Sequence, residues 1–232
     1  MNQIKKIIAK YRSYVWICFA IFFFLLIING YIGQSKALRE EKIVVVIDPG
    51  HGGNDPGKVS QEGVLEKDIN LQIALYLKDE LERMGIEVVM TRYSDVCLAV
   101  EGATNKKSSD MKNRAELIND LSPTCMVSIH QNAYTDQSVS GAQVFYCSES
   151  VESQILAENI QKKLIEEVDP DNNRKIKAGD DYYILRKTSC PGVIVECGFL
   201  SCPVEAERLS DEMYQRKIAA AIATAIFQSY KN

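Results

Sequence analysis

Five successive residues, Ile43-Val44-Val45-Val46-Ile47, are all β-branched aliphatics, and the run stops at Asp48-Pro49-Gly50-His51-Gly52-Gly53. A strand with one wet face alternates apolar and polar residues, so an unbroken run of this kind marks a strand covered on both faces. Further strands are predicted at Ile86–Met90, Cys125–Ile129, Ala142–Tyr146 and Val193–Val195, with a short one at Tyr182–Leu185. Ile69, Ile73, Leu77, Leu81 and Met84 recur every three or four residues, which predicts an amphipathic helix from Glu66 closed by Gly85. Other helices are predicted at Asp110–Leu121, Val151–Val168, Val204–Leu209 and Glu212–Tyr230, and 101–109 reads as a surface loop. Strands alternating with helices at this spacing predict an α/β fold: one domain, a mostly parallel twisted sheet, and helices on both faces.

The first 33 residues belong to a different regime. They carry Lys5, Lys6, Lys10 and Arg12 with no acid, followed by an apolar run from Val15 to Ile28 that Tyr14, Tyr31 and Ile32 extend to about membrane-spanning length. Basic residues ahead of such a run hold the N-terminus inside and send the body across. The expectation is a cytoplasmic tail and transmembrane signal-anchor over 1–33, a linker over 34–42, and a folded body over 43–232. That body would act on the extracytoplasmic face of the membrane or in the wall. Ser35-Lys36-Ala37 loosely fits a signal-peptidase site but lies beyond the run, so an uncleaved anchor is favoured. The residues after 33 have a net charge of −8, which argues against a nucleic-acid partner. Their six cysteines, Cys97, Cys125, Cys147, Cys190, Cys197 and Cys202, include no CxxC pair, so a cysteine zinc site is not expected and their disulfide state stays open.

The only two histidines, His51 and His130, both follow predicted core strands, as does Glu196. In open α/β sheets, ligands bind outside the carboxyl ends of the strands, where residues from different strands converge. Two imidazoles and a carboxylate are a usual catalytic zinc set, leaving one position for water. Glu66, fifteen residues after His51 across a glycine-rich loop, can supply the carboxylate, although an acid at a helix start also complements the helix dipole. Glu196, ending an apolar strand, would be a partly buried charge needing a partner or a task; proton transfer is one such task. The same ligand trio describes non-haem iron oxygenases, but no tight His-x-Asp spacing is present. A cysteine nucleophile at Cys197 would point to the opposite face of its strand from Glu196.

Four stretches, Asp48-Pro49-Gly50-His51-Gly52-Gly53, Glu66-Lys67-Asp68, Ser128-Ile129-His130-Gln131-Asn132-Ala133 and Val195-Glu196-Cys197-Gly198-Phe199-Leu200-Ser201, resemble in order the signature blocks of zinc-dependent N-acetylmuramoyl-L-alanine amidases. The resemblance runs from about Ile43 to the C-terminus and includes Met90-Thr91-Arg92 and Asn113-Arg114. It implies one zinc ion held by His51, Glu66 and His130, with Glu196 as the catalytic carboxylate. The implied substrate is the amide between the muramic acid lactyl group and L-alanine of peptidoglycan. The single apolar segment, the bare domain and the stretches Cys97–Gly102 and Gly141–Tyr146 are most similar to germination-specific members of that family, which implies peptide stripping in the spore cortex for muramic-δ-lactam formation. Cys202 departs from the family, whose members usually carry Asn there.

Arg186 is a candidate ligand for a substrate carboxylate and Asn132 a candidate substrate hydrogen-bond partner, although a solvated arginine and a turn cap account for them equally well. Gly52, Gly53, Gly57 and Gly63 make the metal loop entropically costly to order, so an activating protein partner that stiffens it is expected. The alternative function is a non-catalytic peptidoglycan-binding or scaffold protein with the same fold.

Overall fold

Strand β1 (Val44–Pro49) is followed through helix α2 (Glu66–Arg83) by β2 (Glu87–Met90), which pairs with it in parallel. Helix α3 (Lys106–Leu121) then carries the chain to β3 (Cys125–Asn132), which pairs in parallel on the other side of β1. The direction of winding therefore reverses between β1 and β3, and at such a switch point a crevice opens beyond the strand ends. Strand β6 (Gly192–Phe199) lies parallel beside β3, while β4 (Gln143–Tyr146) runs antiparallel to β6 and β5 (Lys177–Ala178) closes the edge. The order β2-β1-β3-β6-β4-β5 agrees with the expected mostly parallel sheet.

Both faces are covered. One buries Val45, Ile47, Val127, Ile129, Val193 and Val195 against Ile69, Ile73, Leu77 and Leu81 of α2, Leu156 and Ile160 of α4 (Val151–Lys163), and the alanine-rich side of α7 (Glu212–Lys231). The other buries Val46, Met126 and Ile194 under Ile118 of α3 and Ile184 and Leu185 of α5 (Tyr183–Lys187). Each such aliphatic taken out of water contributes roughly 1.5–3 kcal/mol before conformational entropy is charged.

The predicted strand at Tyr182–Leu185 is instead the helix α5. Its buried neighbours Ile184 and Leu185 are too short a run for periodicity to separate helix from strand. The real edge strand, Lys177–Ala178, is exposed at both positions and carries no hydrophobic signal. Helix α3 starts earlier than predicted because Asn105 caps it, its side chain accepting the Ser108 N–H at 2.9 Å. The end of the long helix predicted to Val168 is a π-helical turn, Leu164–Val168.

The computed structural model describes residues 2–37 and 42–231, which divide into units at Met1–Lys42 and Ile43–Asn232. In the first unit α1 spans Asn2–Ala37, so residues 34–37 of the predicted linker are helical and residues 38–41 lie outside the described residues. Among the described residues no helix is long and apolar enough to cross a membrane, so the expected membrane segment over 1–33 finds no support in the fold. All the cysteines are free.

Helix α6 (Pro203–Ser210) starts with Cys202 at its cap, where no side chain accepts from the first-turn amides. Cys202→Asn should supply that acceptor and add about 0.5–1 kcal/mol, a rise of about 1–4 °C in the thermal midpoint. A lowered midpoint would show that packing of the buried thiol outweighs the missing cap.

Candidate metal centre and active site

The site is built on a buried charge. Asp48, 1% exposed in β1, accepts hydrogen bonds from Thr91 Oγ1 at 2.6 Å, Ser128 Oγ at 2.7 Å and Arg114 Nη1 at 2.7 Å. Burial alone would raise its pKa; the Arg114 charge and these three bonds bring it below the usual carboxylate value. The same guanidinium donates to Pro49 O at 2.8 Å and His51 O at 2.6 Å, and its Nε bonds Asp110 at 2.7 Å. Arg92, equally buried, donates to Pro49 O and Gly50 O, each at 3.0 Å, and to Lys67 O at 2.8 Å. Two cations thus hold the carbonyls of three successive residues. His51 is left-handed at φ +62°, a conformation costing a non-glycine residue about 1–2 kcal/mol, and these bonds keep it there.

That twist aims the His51 ring. Its Nδ1 lies 2.9 Å from Asp55 Oδ2, leaving Nε2 3.2 Å from Glu66 Oε2. Glu66 is the first residue of α2 and 1% exposed. Its carboxylate accepts the N–H groups of Lys58 at 2.7 Å and Gln131 at 3.0 Å and the Asn70 Nδ2 at 3.3 Å, and His130 Nδ1 lies 2.9 Å from Oε1. Burial pushes the Glu66 pKa up, but hydrogen bonds and charge from His130 and His51 carry it far below the ordinary carboxylate range. Burial likewise pulls His130 down, and the Glu66 bond and charge more than reverse it.

One donor atom from each of His51, Glu66 and His130 lies within 4.8 Å of the others. Zinc bonds of about 2.0–2.1 Å set tetrahedral ligand atoms about 3.3 Å apart, close to the His51–Glu66 separation, so the set fits a single small cation. The backbone leaves room for it. A Cβ on Gly57, at φ +67°, would lie 2.5 Å from Glu66 Oε2 and 2.7 Å from His51 Cδ2, and one on Gly50 would run into the His130 ring.

Strands β3 and β6 do not end at His130 and Glu196 as predicted but continue to Asn132 and Phe199, with a register shift after His130. Their parallel register sets His130 beside Glu196, so both side chains share a face. Glu196 is 7% exposed, and its Oε2 has no hydrogen-bond partner among the described residues. Burial raises its pKa to about 7, with His130 lowering it and Glu66 adding to the rise. Cys197, one residue on, is buried in the opposite core.

Asn132 is turned inward on itself, its side-chain oxygen accepting the Ala133 N–H at 2.8 Å, as a turn cap does. Arg186 is exposed on α5 and outside the metal cluster. Sequence reading did not assign roles to Asp55, Asn70, Gln131, Arg92 and Arg114. Arg92, Arg114 and Gln131 left a trace only by falling in stretches that carry the family resemblance.

Together the fold and the cluster define an α/β protein with a two-histidine, one-carboxylate centre beside an unpartnered buried acid. The chain belongs to the N-acetylmuramoyl-L-alanine amidase family Amidase_3, which it matches over residues 45–228. It is similar to the germination-specific N-acetylmuramoyl-L-alanine amidase of Bacillus subtilis (strain 168), at 38% identity over 190 residues, 81% of this chain and 79% of that one. Among solved structures it is similar to the CwlD amidase of Clostridioides difficile in complex with the GerS lipoprotein, at 39% identity and TM-score 0.79, covering 82% of this chain and 99% of that one. It is also similar to the amidase AmiC2 of Nostoc punctiforme, at 32% identity and TM-score 0.72, over 82% of this chain and 98% of that one.

With zinc as the probe in a chelator competition, Gly57→Ala should weaken binding at the cluster while leaving the far-UV spectrum unchanged; undiminished binding would show the loop can shift away from the donors. Arg114→Met leaves Asp48 buried and unpaired, and should cost about 3–5 kcal/mol in denaturant unfolding. Because the Asp48 pKa is depressed, its stabilisation is complete above the unfolded value near 3.9 and disappears as pH falls through the lower folded value. The acid limb of the stability profile should therefore be steeper in the parent than in an Asp48→Asn, Arg114→Met double variant.

Proposed function

We propose that His51, Glu66 and His130 hold one zinc ion and that Glu196 moves the proton in the family's reaction, hydrolysis of the amide joining N-acetylmuramic acid to L-alanine in peptidoglycan. The observation carrying this reading is the cross-strand pair: Glu196 stands beside His130 in register with one buried oxygen unpartnered. Zinc in such a site supplies Lewis acidity and lowers the pKa of water. The protein's own residues do the rest. Asp55 bonds His51 Nδ1, which fixes the tautomer that leaves Nε2 free for the metal. Asn70 ties Glu66 to Gly50, bonding the carboxylate at 3.3 Å and the Gly50 carbonyl at 3.2 Å.

In the chemical step a water oxygen bonds to the lactyl carbonyl carbon and the carbon–nitrogen bond breaks. Glu196 takes the proton that water loses and delivers it to the departing nitrogen, so the products are a muramic carboxyl group and a free L-alanine amine. A buried carboxylate with pKa about 7 is matched to both transfers near neutral pH.

The similarity to a germination-specific amidase supports action on spore-cortex peptidoglycan. The complex of a similar amidase with a lipoprotein supports a protein partner for this chain, one that would steady the metal loop. A membrane location for the N-terminal segment rests on its sequence and on exposure alone: Trp16, Ile17, Phe19 and every residue from Ile21 to Ile28 are exposed on α1, a stretch that needs an apolar cover. The basic residues before it support an extracytoplasmic body.

Glu196→Gln should keep zinc stoichiometry while slowing peptide release from purified peptidoglycan by about 10²–10⁴-fold, read by mass spectrometry as loss of free L-alanine termini. Activity within a few-fold of the parent would remove Glu196 from its role.

A further inference from the structure

Residues 172–187 reverse the sign of the body that contains them: Arg174, Lys175, Lys177, Arg186 and Lys187 stand against Asp180 and Asp181, a net +3 inside a body, 43–232, of −9. The fold sets this segment, as β5 and α5, on the Glu196 side of the sheet. In the β4–β6 register Gln143 lies beside Glu196 and Phe145 beside Ile194, and Lys177 lies beside Phe145 in turn. The row His130, Glu196, Gln143 therefore leads from the metal cluster straight to the basic edge.

The cations there are aimed. Arg174 holds its guanidinium 4.5 Å over the Phe199 ring and bonds Gln143 Oε1 at 3.3 Å, while Gln143 Nε2 donates to Lys175 O at 2.8 Å. The Lys177 ammonium lies 5.9 Å over the Phe145 ring, against which Tyr182 packs edge-on at 5.3 Å. Asp180 is occupied by the Ser148 amide and hydroxyl, at 2.9 and 2.7 Å. Lys175 and Lys177 are exposed.

The polarity of the reaction says what belongs there. The acid that protonates the leaving nitrogen must stand on the amine side of the scissile bond, so the acyl half of the substrate lies towards His51 and β1 and the amine half towards β6, β4 and β5. We propose that the stem peptide runs from Glu196 across β4 to the sheet edge, where Arg174, Lys175 and Lys177 receive its free carboxylates. This rests on the amidase reading above and adds the direction of binding and the charge the enzyme selects. Lysines on an edge strand also discourage strand pairing between molecules, but that duty requires neither aromatic platforms nor alignment with the catalytic acid.

The test compares muropeptides whose stem carboxylates are free with the same muropeptides amidated, cleaved by the zinc-loaded parent, the Lys175→Ala, Lys177→Ala double variant and Lys177→Arg. Amidation should lower kcat/KM of the parent about tenfold, mostly through KM, the size of one hydrogen bond to a charged group. The double variant should lose about as much on the free acid and become indifferent to amidation, with zinc content and thermal midpoint unchanged, and Lys177→Arg should keep the preference. A parent that cleaves both substrates equally, or a double variant that still discriminates, overturns the binding direction while leaving the amidase reading intact. A parent that releases peptide from neither substrate overturns the amidase reading, and this inference falls with it.

Discussion

The ion pair between Asp48 and Arg114 sets the geometry on which the rest of the site depends. A buried pair of this kind is weak support for stability, because the desolvation of both charges offsets most of their attraction. Its value here is positional. Asp48 is fixed in β1 by Thr91, just past the end of β2, and by Ser128 of β3, so Arg114 is held at a defined height above the sheet. From there its remaining donors reach the carbonyls of Pro49 and His51, and Arg92 shares the first of these and adds Gly50. A neutral donor would satisfy one carbonyl; the guanidinium fork satisfies several in one plane.

The loop so held lies at the switch between β1 and β3, and this explains why residues far apart in sequence meet. His51 leaves β1, His130 belongs to β3, and Glu66 opens the helix that follows the loop, its carboxylate taking the Gln131 amide of β3 as well as the Lys58 amide of the loop. Metal loop, helix start and strand end are thereby bonded to one another through a single carboxylate. The glycines that permit this closeness are costly to order, and the hydrogen bonds to Arg92, Arg114 and Glu66 return part of that cost.

Much of this was legible in the chain. Unbroken β-branched runs identify doubly covered strands, and His51, Glu66, His130 and Glu196 stand at the positions where an α/β sheet gathers its ligands. What stayed illegible has physical causes. Lys177–Ala178 is a two-residue edge strand with both side chains in water, so no apolar pattern marks it. Ile184 and Leu185 look the same in a strand as in the single helical turn they form. Arg92 and Arg114 resemble solvated surface residues in any one-dimensional reading of composition or periodicity, since only the tertiary fold supplies the seven carbonyl and carboxylate partners that let them be buried. Asn132 was left open between two roles, and the Ala133 amide occupies its side-chain oxygen.

The two glutamates close the argument, because they are the same residue type in one crevice with opposite electrostatic histories. Glu66 is buried but surrounded by donors, two amides, an asparagine and two imidazoles, and so remains an anion, the state a metal ligand requires. Glu196 is buried with one oxygen unpartnered, and burial holds its proton near neutrality, the state a proton carrier requires. The difference arises from backbone placement. Glu66 takes its two amides from the loop, at Lys58, and from β3 at its register shift, at Gln131, whereas Glu196 sits inside a parallel strand whose neighbouring amides are largely committed to the sheet. Loop, strand end and Asn70 thus give Glu66 the donors that Glu196 Oε2 lacks, and the proposed division between ligand and proton carrier follows from that placement.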